Sequence, residues 1–242
     1  MSQSFLVIFL LSIAFPMLLL LYVNNKNKKP VSIKEYAIAI MSGIFVDGIC
    51  FVIEKLCLDV YFFTAIPESL YECFIVSFFR NAFVEEIFKL LGFCALFLLF
   101  RNKATSLFLL YAIGLAVGFS TFENVGNILL ASTQVNNIVA FSLGRIVSVF
   151  VHVALSVISA FLITKYWYKN RVLCIVCAFL VPYIIHGAHD MIVSMQYYLQ
   201  YGAGVIFLCL LIFDVIFFYA AYKLFRKTII NDTISIDEKN IE

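Results

Sequence analysis

The sequence predicts an all-α protein, a polytopic integral membrane bundle of about seven transmembrane helices. Three observations predict it. The chain of 242 residues is 64% hydrophobic and 13% charged, with a mean hydropathy of +1.02, which is more apolar than soluble globular domains. Its apolar runs are long enough to cross a bilayer. None of them alternates as a barrel strand does, so helices are the expected spanning form.

The apolar runs place the helices along the chain. Each predicted span has about 20 residues or more. The first run lacks the basic flank and small-residue cleavage site of a signal peptide, so we expect a retained anchor helix. The third run is long, and an interfacial helix near Pro67 would add an eighth element. The seven predicted spans are residues 4–23, 33–53, 74–100, 106–130, 138–164, 172–195 and 199–225.

Basic residues fall in alternate loops, which predicts the orientation. The loops after the second, fourth and sixth spans carry Lys55 and no other lysine or arginine. The positive-inside rule then places the N-terminus outside and the C-terminus in the cytoplasm. Because the lysines are scattered among short loops, nothing indicates a nucleic-acid partner. The basic residues after the first, third, fifth and seventh spans are Lys26, Lys28, Lys29, Lys34, Arg101, Lys103, Lys165, Lys169, Arg171, Lys223, Arg226, Lys227 and Lys239.

One domain accounts for the chain. We expect a single transmembrane domain over residues 1–227 and a short polar cytoplasmic tail over residues 228–242. Ionisable residues inside the spans are costly in a bilayer, so they predict a functional site. All three histidines of the chain are among them. The intramembrane set is Asp47, Arg80, Glu85, Glu86, Lys89, Glu123, Arg145, His152, His186, His189, Asp190 and Asp214.

Helical spacing groups these residues on shared faces. Lys89 follows Glu85 by four positions and Glu86 by three, so it can reach either carboxylate. His186 and Asp190 lie one turn apart, after Pro182 in the same four-residue step. A stripe of small residues that runs through residues 144, 148, 152, 156 and 160 indicates that His152 faces the bundle interior. In the fourth span, Gly114 and Gly118 predict close helix packing below Glu123.

Depth along the helices predicts that these groups meet. At about 1.5 Å per residue, Glu123 lies roughly 25 Å and His186 roughly 21 Å from the cytoplasmic ends of their helices. Glu85 and His152 lie roughly 15–20 Å from the outer ends. The groups therefore cluster between the midplane and the outer half, where a shared site would open toward the outside.

The composition of this cluster suits the activation of water. One glutamate can accept a proton from water while Lys89 keeps the other ionised. His152 or His186 can orient the water or donate to a developing oxyanion, and Asp190 can hold the tautomer of its histidine. Carboxylates and histidines also bind metals and relay protons, so a metal-dependent membrane hydrolase and a proton-coupled transporter or channel remain alternatives. A pseudoenzyme that shields a membrane partner is a further alternative.

Four motifs in order carry a family resemblance. Glu85-Glu86-x-x-Lys89 is followed by Phe-Glu-Asn ending at Asn124, then by Arg145 with His152, then by His186-Gly-x-x-Asp190. The order over about residues 80–195 resembles the PrsW family of intramembrane proteases. That family is distantly similar to CAAX prenyl endopeptidases and to bacterial ABI-type membrane proteins. The sequence has no His-Glu-x-x-His motif of a zinc protease.

The resemblance implies a glutamate-based peptidase without cofactor or metal. Its implied partners are the lipid bilayer and a single-pass substrate similar to an anti-sigma factor, cut toward the extracytoplasmic half of a bacterial-type cytoplasmic membrane. We expect His189 to be structural. Asp47 and Asp214 match no motif and are expected to pair with Arg145 or to be buried in the protonated form. The implied catalytic residues are Glu85, Glu86, His152 and His186, supported by Lys89, Glu123, Asn124, Arg145 and Asp190.

Overall fold

Helices make up the part of the chain that the structure describes. The described ranges contain no strand, so the predicted all-α class is confirmed for them. Most of the predicted first span lies outside these residues. The structure, a computed structural model, describes residues 31–54, 69–100, 105–131, 138–199 and 203–239, together with residues 10, 13, 14, 17, 18, 21, 25 and 67.

Seven α-helices and one π-helix follow one another in the described ranges. The last helix passes residue 227, so residues 228–239 of the predicted tail are helical. The elements are α1 (Ile33–Ile53), α2 (Leu70–Phe74), the π-helix (Ile75–Ala82), α3 (Phe83–Phe100), α4 (Thr105–Ala131), α5 (Ile138–Tyr166), α6 (Arg171–Leu199) and α7 (Ala203–Lys239).

Five described helices are long and apolar enough to cross a membrane. They correspond to five of the predicted spans, and the helical membrane bundle is confirmed to that extent. Helix α3 has 18 residues but carries three charged residues, Glu85, Glu86 and Lys89. It is therefore not counted among these five helices. The count of seven and the orientation remain predictions. The five spans are Ile33–Ile53, Leu107–Leu129, Val147–Tyr166, Arg171–Met195 and Leu208–Thr228.

The predicted third span, residues 74–100, lies within one continuous helical segment from Leu70 to Phe100. Helix α2, the π-helix and α3 follow without a gap, and the residues at both junctions have right-handed helical backbone angles. The π-helix ends three residues before Glu85, and such segments often lie at functional sites. It also contacts α6, because Ser77 Oγ lies 3.2 Å from Ser194 Oγ and Asn81 Nδ2 donates to Asp190 Oδ2 at 3.4 Å.

Helix α4 is the centre of the bundle and α7 is peripheral. In their most apolar stretches, 78% of the α4 residues are buried against 11% for α7. Two glycines bring α1 against α4. A Cβ on Gly43 would lie 2.7 Å from Phe119 N, and one on Gly118 would overlap the Ile40 carbonyl. The close packing predicted from the glycines of the fourth span is therefore confirmed, with α1 as the partner.

Helices α5 and α6 form an antiparallel pair held by a specific polar contact. Pro182 has no N–H, so the Ala178 carbonyl one turn earlier loses its helical donor. The Ser159 hydroxyl of α5 donates to that carbonyl at 3.0 Å. Asn170 begins α6 by accepting from Leu173 N at 3.0 Å. The Ser159 contact therefore joins the two helices that carry His152 and His186.

Candidate functional site

One end of the bundle encloses a cavity of about 740 Å³. It is lined by the π-helix, by the C-terminal parts of α1, α4 and α6, and by the N-terminal parts of α3, α5 and α7. These parts lie together because the helices alternate in direction. Lys165, in the last turn of α5, and Lys169, between α5 and α6, lie at the other end. The predicted site residues on its wall are Glu85, Glu123, Arg145, His152, His186 and Asp190.

Glu85, Glu86 and Lys89 form a buried cluster at the start of α3. Lys89 Nζ lies 3.0 Å from Glu85 Oε2 and 3.0 Å from Glu86 Oε1. The three residues are 7%, 3% and 1% exposed. Lys89 Nζ also lies 4.0 Å from the ring centroid of Phe119. The predicted reach of Lys89 to either carboxylate is therefore confirmed. Because Lys89 contacts both carboxylates, it does not by itself make the two glutamates unequal.

His186 is held by Glu86 and faces Glu85. Its Nδ1 lies 2.8 Å from Glu86 Oε1 and, opposite a carboxylate, acts as a donor. Its Nε2 then points toward Glu85 Oε2 at 3.8 Å and Asp190 Oδ1 at 3.6 Å. The shortest carboxylate contact of His186 is thus with Glu86 on another helix and not with Asp190 one turn away.

His152 connects the lysine to Glu123. Its Nδ1 lies 3.0 Å from Lys89 Nζ and its Nε2 lies 2.9 Å from Glu123 Oε2. An ammonium group only donates, so Nδ1 accepts and the ring proton sits on Nε2, where it donates to Glu123. The His152 and His186 rings meet edge to face, with centroids 5.2 Å apart. The structure therefore brings together the histidines of the fifth and sixth predicted spans.

Glu123, Asn124 and Arg145 form a second ion-pair cluster. The Arg145 guanidinium pairs with Glu123, and its Nε donates to Asn124 Oδ1 at 2.8 Å. Arg145 is thereby engaged by α4, and no contact with Asp47 or Asp214 occurs among the described residues. Glu123 bridges Arg145 and His152, a geometry that suits a bracing role.

Asp190 and His189 extend the network toward α7. His189 Nδ1 lies 3.2 Å from Asp190 Oδ1, and its Nε2 lies 3.5 Å from Asp214 Oδ1. Gly187 lets α6 approach the π-helix, because a Cβ there would lie 2.5 Å from the Phe78 ring. A linked set of polar contacts thus runs from Asp214 through α6 to the glutamates of α3.

The structure separates the two adjacent glutamates. Glu85 lines the cavity, whereas Glu86 is not among the lining residues and is held by both Lys89 and His186. Adjacent helical positions point about 100° apart, so one can face a cavity while its neighbour faces the packed interior. This asymmetry arises from the position of α6, which cannot be predicted from the spacing of residues within α3.

Polar residues that match no family motif also lie on the cavity wall. Asp47 lies on α1, Asn81 on the π-helix and Asp214 on α7. Their signal in the sequence was a polar residue inside an apolar run, which marks a functional position without naming its partner. Only the packing of the helices shows that they border the same cavity as Glu85.

Three residues whose side chains can bind a metal lie close together in this site. Glu85, His152 and His186 each offer one donor atom, and these atoms lie within 4.8 Å of one another. Two imidazoles and one carboxylate are a ligand set of catalytic zinc sites. The residues therefore fit a divalent ion in donor chemistry, although Lys89 Nζ is within 3.0 Å of Glu85 Oε2 and His152 Nδ1.

Comparisons with known proteins point to one family. The family model described as PrsW family intramembrane metalloprotease matches residues 32–220. The chain is 26% identical over 161 residues to the protein named Protease PrsW of Clostridioides difficile (strain 630). That match covers 64% of this chain and 65% of the relative, a little under two thirds of its length. No solved structure matches the chain.

The family match includes every motif that carries the network. It spans well over half of the chain and contains residues 80–195, where Glu85, His152 and His186 lie. The apolar helices and this match identify an integral membrane protein. The chain belongs to the PrsW family of intramembrane proteases.

Proposed function

We propose that this protein is an intramembrane endopeptidase that hydrolyses a peptide bond of a membrane-anchored protein with water activated by Glu85. The observation that carries the proposal is the placement of Glu85 on the cavity wall, 3.8 Å from His186 Nε2 and in contact with Lys89. A carboxylate beside an imidazole and a cavity is a suitable general base for water.

The reaction follows from these positions. Glu85 accepts a proton as the water oxygen bonds to the carbonyl carbon of the substrate. The C–N bond then breaks, and Glu85 returns the proton to the leaving nitrogen. His186 Nε2 orients the water, since Glu86 holds the opposite ring nitrogen as the donor. The Lys89 ammonium balances the buried carboxylates, and Glu123 with Arg145 braces His152.

The direction of access is part of the proposal. The cavity lies at the end of the bundle opposite Lys165 and Lys169, and the positive-inside rule assigns that basic end to the cytoplasm. The site would therefore open in the extracytoplasmic half of the membrane. A single-pass protein similar to an anti-sigma factor is the substrate class that we infer from the family resemblance.

Comparative membrane proteomics tests the function. Cells with the wild-type protein should release the extracytoplasmic part of at least one single-pass protein that stays intact in cells with Glu85→Gln. The purified wild-type protein should then cut that substrate in proteoliposomes. If no membrane protein changes and none is cut by the purified enzyme, the proposed activity is wrong.

A metal-dependent form of the same hydrolysis is the second candidate. It is favoured by the donor set of Glu85, His152 and His186 and by the family description as a metalloprotease. A divalent ion bound there would act as a Lewis acid and make its bound water easier to deprotonate. We favour the metal-free form, because the Lys89 ammonium already contacts Glu85 and His152 and supplies a positive charge at that point.

Chelation separates the two forms. We expect purified protein washed with a chelator to keep its cleavage rate and to hold less than stoichiometric metal by elemental analysis. The reason is that the positive charge beside Glu85 comes from Lys89, which a chelator does not remove. Loss of activity on chelation, restored by Zn²⁺ but not by buffer alone, would establish the metal-dependent form and overturn the metal-free proposal.

A further inference from the structure

Asp47 is a buried carboxylate on the cavity wall that the proposed reaction does not use. It lies on α1, six residues before the helix ends at Ile53, or about 9 Å along the helix axis. It lines the cavity and is only 5% exposed. No hydrogen bond or ion pair engages it among the described residues. A buried carboxylate without a partner is costly.

The charged groups near Asp47 are mostly carboxylates. The charged groups that act electrostatically on Asp47 include Glu54, Glu85, Glu123 and Lys89. In this set the cation is Lys89, which is shared by Glu85 and Glu86 at 3.0 Å each. Among the described residues, Asp47 therefore faces further carboxylates without a positive charge of its own.

The described part of the cavity wall shows the same excess of carboxylates over cations. Asp214 borders it from the α7 side, is 8% exposed, and pairs with His189, whose Nε2 lies 3.5 Å from Asp214 Oδ1. Besides the three histidines, the lining residues that the structure describes include six carboxylates and two guanidinium groups. These are Asp47, Glu54, Glu85, Glu123, Asp190 and Asp214 against Arg80 and Arg145.

We propose that Asp47 binds the ammonium or guanidinium group of a lysine or arginine side chain of the substrate, near the outer end of the substrate's transmembrane segment. This inference rests on the proposed function, because it assigns the cavity to a peptide. Long basic side chains lay their apolar stems along a hydrophobic wall and extend their charge to a polar group. Phe51, on the wall one turn after Asp47, offers such a surface.

Binding of synthetic peptides tests the inference without any cleavage. The probes are two dye-labelled polyleucine peptides of one transmembrane span that differ by lysine or glutamine one to two turns from the outer end. The full-length wild-type protein in nanodiscs should bind the lysine peptide about tenfold or more tightly, as for a hydrogen bond between charged groups. Equal affinities for the two peptides would overturn the inference.

Matched variants locate the effect. Asp47→Asn should reduce the affinity for the lysine peptide to that for the glutamine peptide, whereas Asp47→Glu should keep the preference. Asp214→Asn removes the same charge from the opposite wall and should also keep it. A preference that survives in Asp47→Asn, or that Asp214→Asn abolishes equally, would overturn a specific role of Asp47.

Two further arms separate the alternatives. If added Mg²⁺ competes with the lysine peptide and a chelator restores its binding, Asp47 is a metal site and the inference is wrong. Because binding is measured apart from turnover, a lysine preference without proteolysis would count against the peptidase and not against the cation site. Cleavage without a lysine preference would count against the cation site alone.

Discussion

Replacing Glu85 with glutamine should lower the rate of substrate cleavage by at least about 10²-fold, the usual contribution of a general base. Glutamine preserves the size of the side chain but cannot take the proton of water. The rate is measured in proteoliposomes with the substrate found by proteomics. Binding of a polyleucine peptide and the unfolding temperature should stay close to wild type, because the fold and the cavity remain.

Glu86→Gln is the informative comparison. Its oxygen can still accept from His186 Nδ1, so the orientation of that ring should survive and the loss of rate should be smaller than in Glu85→Gln. Glu72→Gln, on α2 and away from the cavity, serves as the unaffected control. If Glu85→Gln is fully active and Glu86→Gln is inactive, the general base is Glu86 and not Glu85.

Replacing Lys89 with methionine should destabilise the protein by about 3–5 kcal/mol, the cost of leaving buried charges without their partner. Lys89 Nζ contacts Glu85, Glu86 and His152 at 3.0 Å each, so its loss leaves two carboxylates uncompensated in the interior. Thermal unfolding of the purified protein, followed as loss of the monodisperse fraction, measures the effect.

Two variants control for this result. Lys223→Met makes the same change at an exposed lysine of α7 and should alter stability by no more than about 0.5 kcal/mol. The triple variant Glu85→Gln, Glu86→Gln and Lys89→Met removes the whole charge cluster and should recover most of the lost stability. If Lys89→Met is as stable as wild type, Lys89 does not neutralise the two glutamates.

Much of the architecture was predictable, because a bilayer imposes simple length rules. Runs of about 20 apolar residues predicted the spans that correspond to α1, α4, α5, α6 and α7. Gly114 and Gly118 predicted a close helix contact, and the structure supplies α1 as its partner. The π-helix ahead of Glu85 was not predictable, since its i+5 hydrogen bonds leave no periodicity that an apolar run reveals.

Local spacing also predicted the contacts within one helix. Lys89 reaches Glu85 and Glu86 as the four- and three-residue steps require. Contacts between helices could not be predicted from spacing along one helix. Asp190 was expected to hold His186, but Glu86 lies closer, because the packing of the π-helix against Gly187 brings α3 within reach of that ring.

The sequence by itself determined that this is a helical membrane protein. It also determined which residues are charged within its spans and in which order the family motifs follow one another. These properties depend on composition and on distances of a few residues along one helix. Only the tertiary structure decided that Glu85 faces the cavity while Glu86 faces His186, and that Asp47 borders the same space. The physical reason is that the rotation and crossing of each helix are set by close packing against its neighbours, and the spacing of residues within one helix carries no record of them.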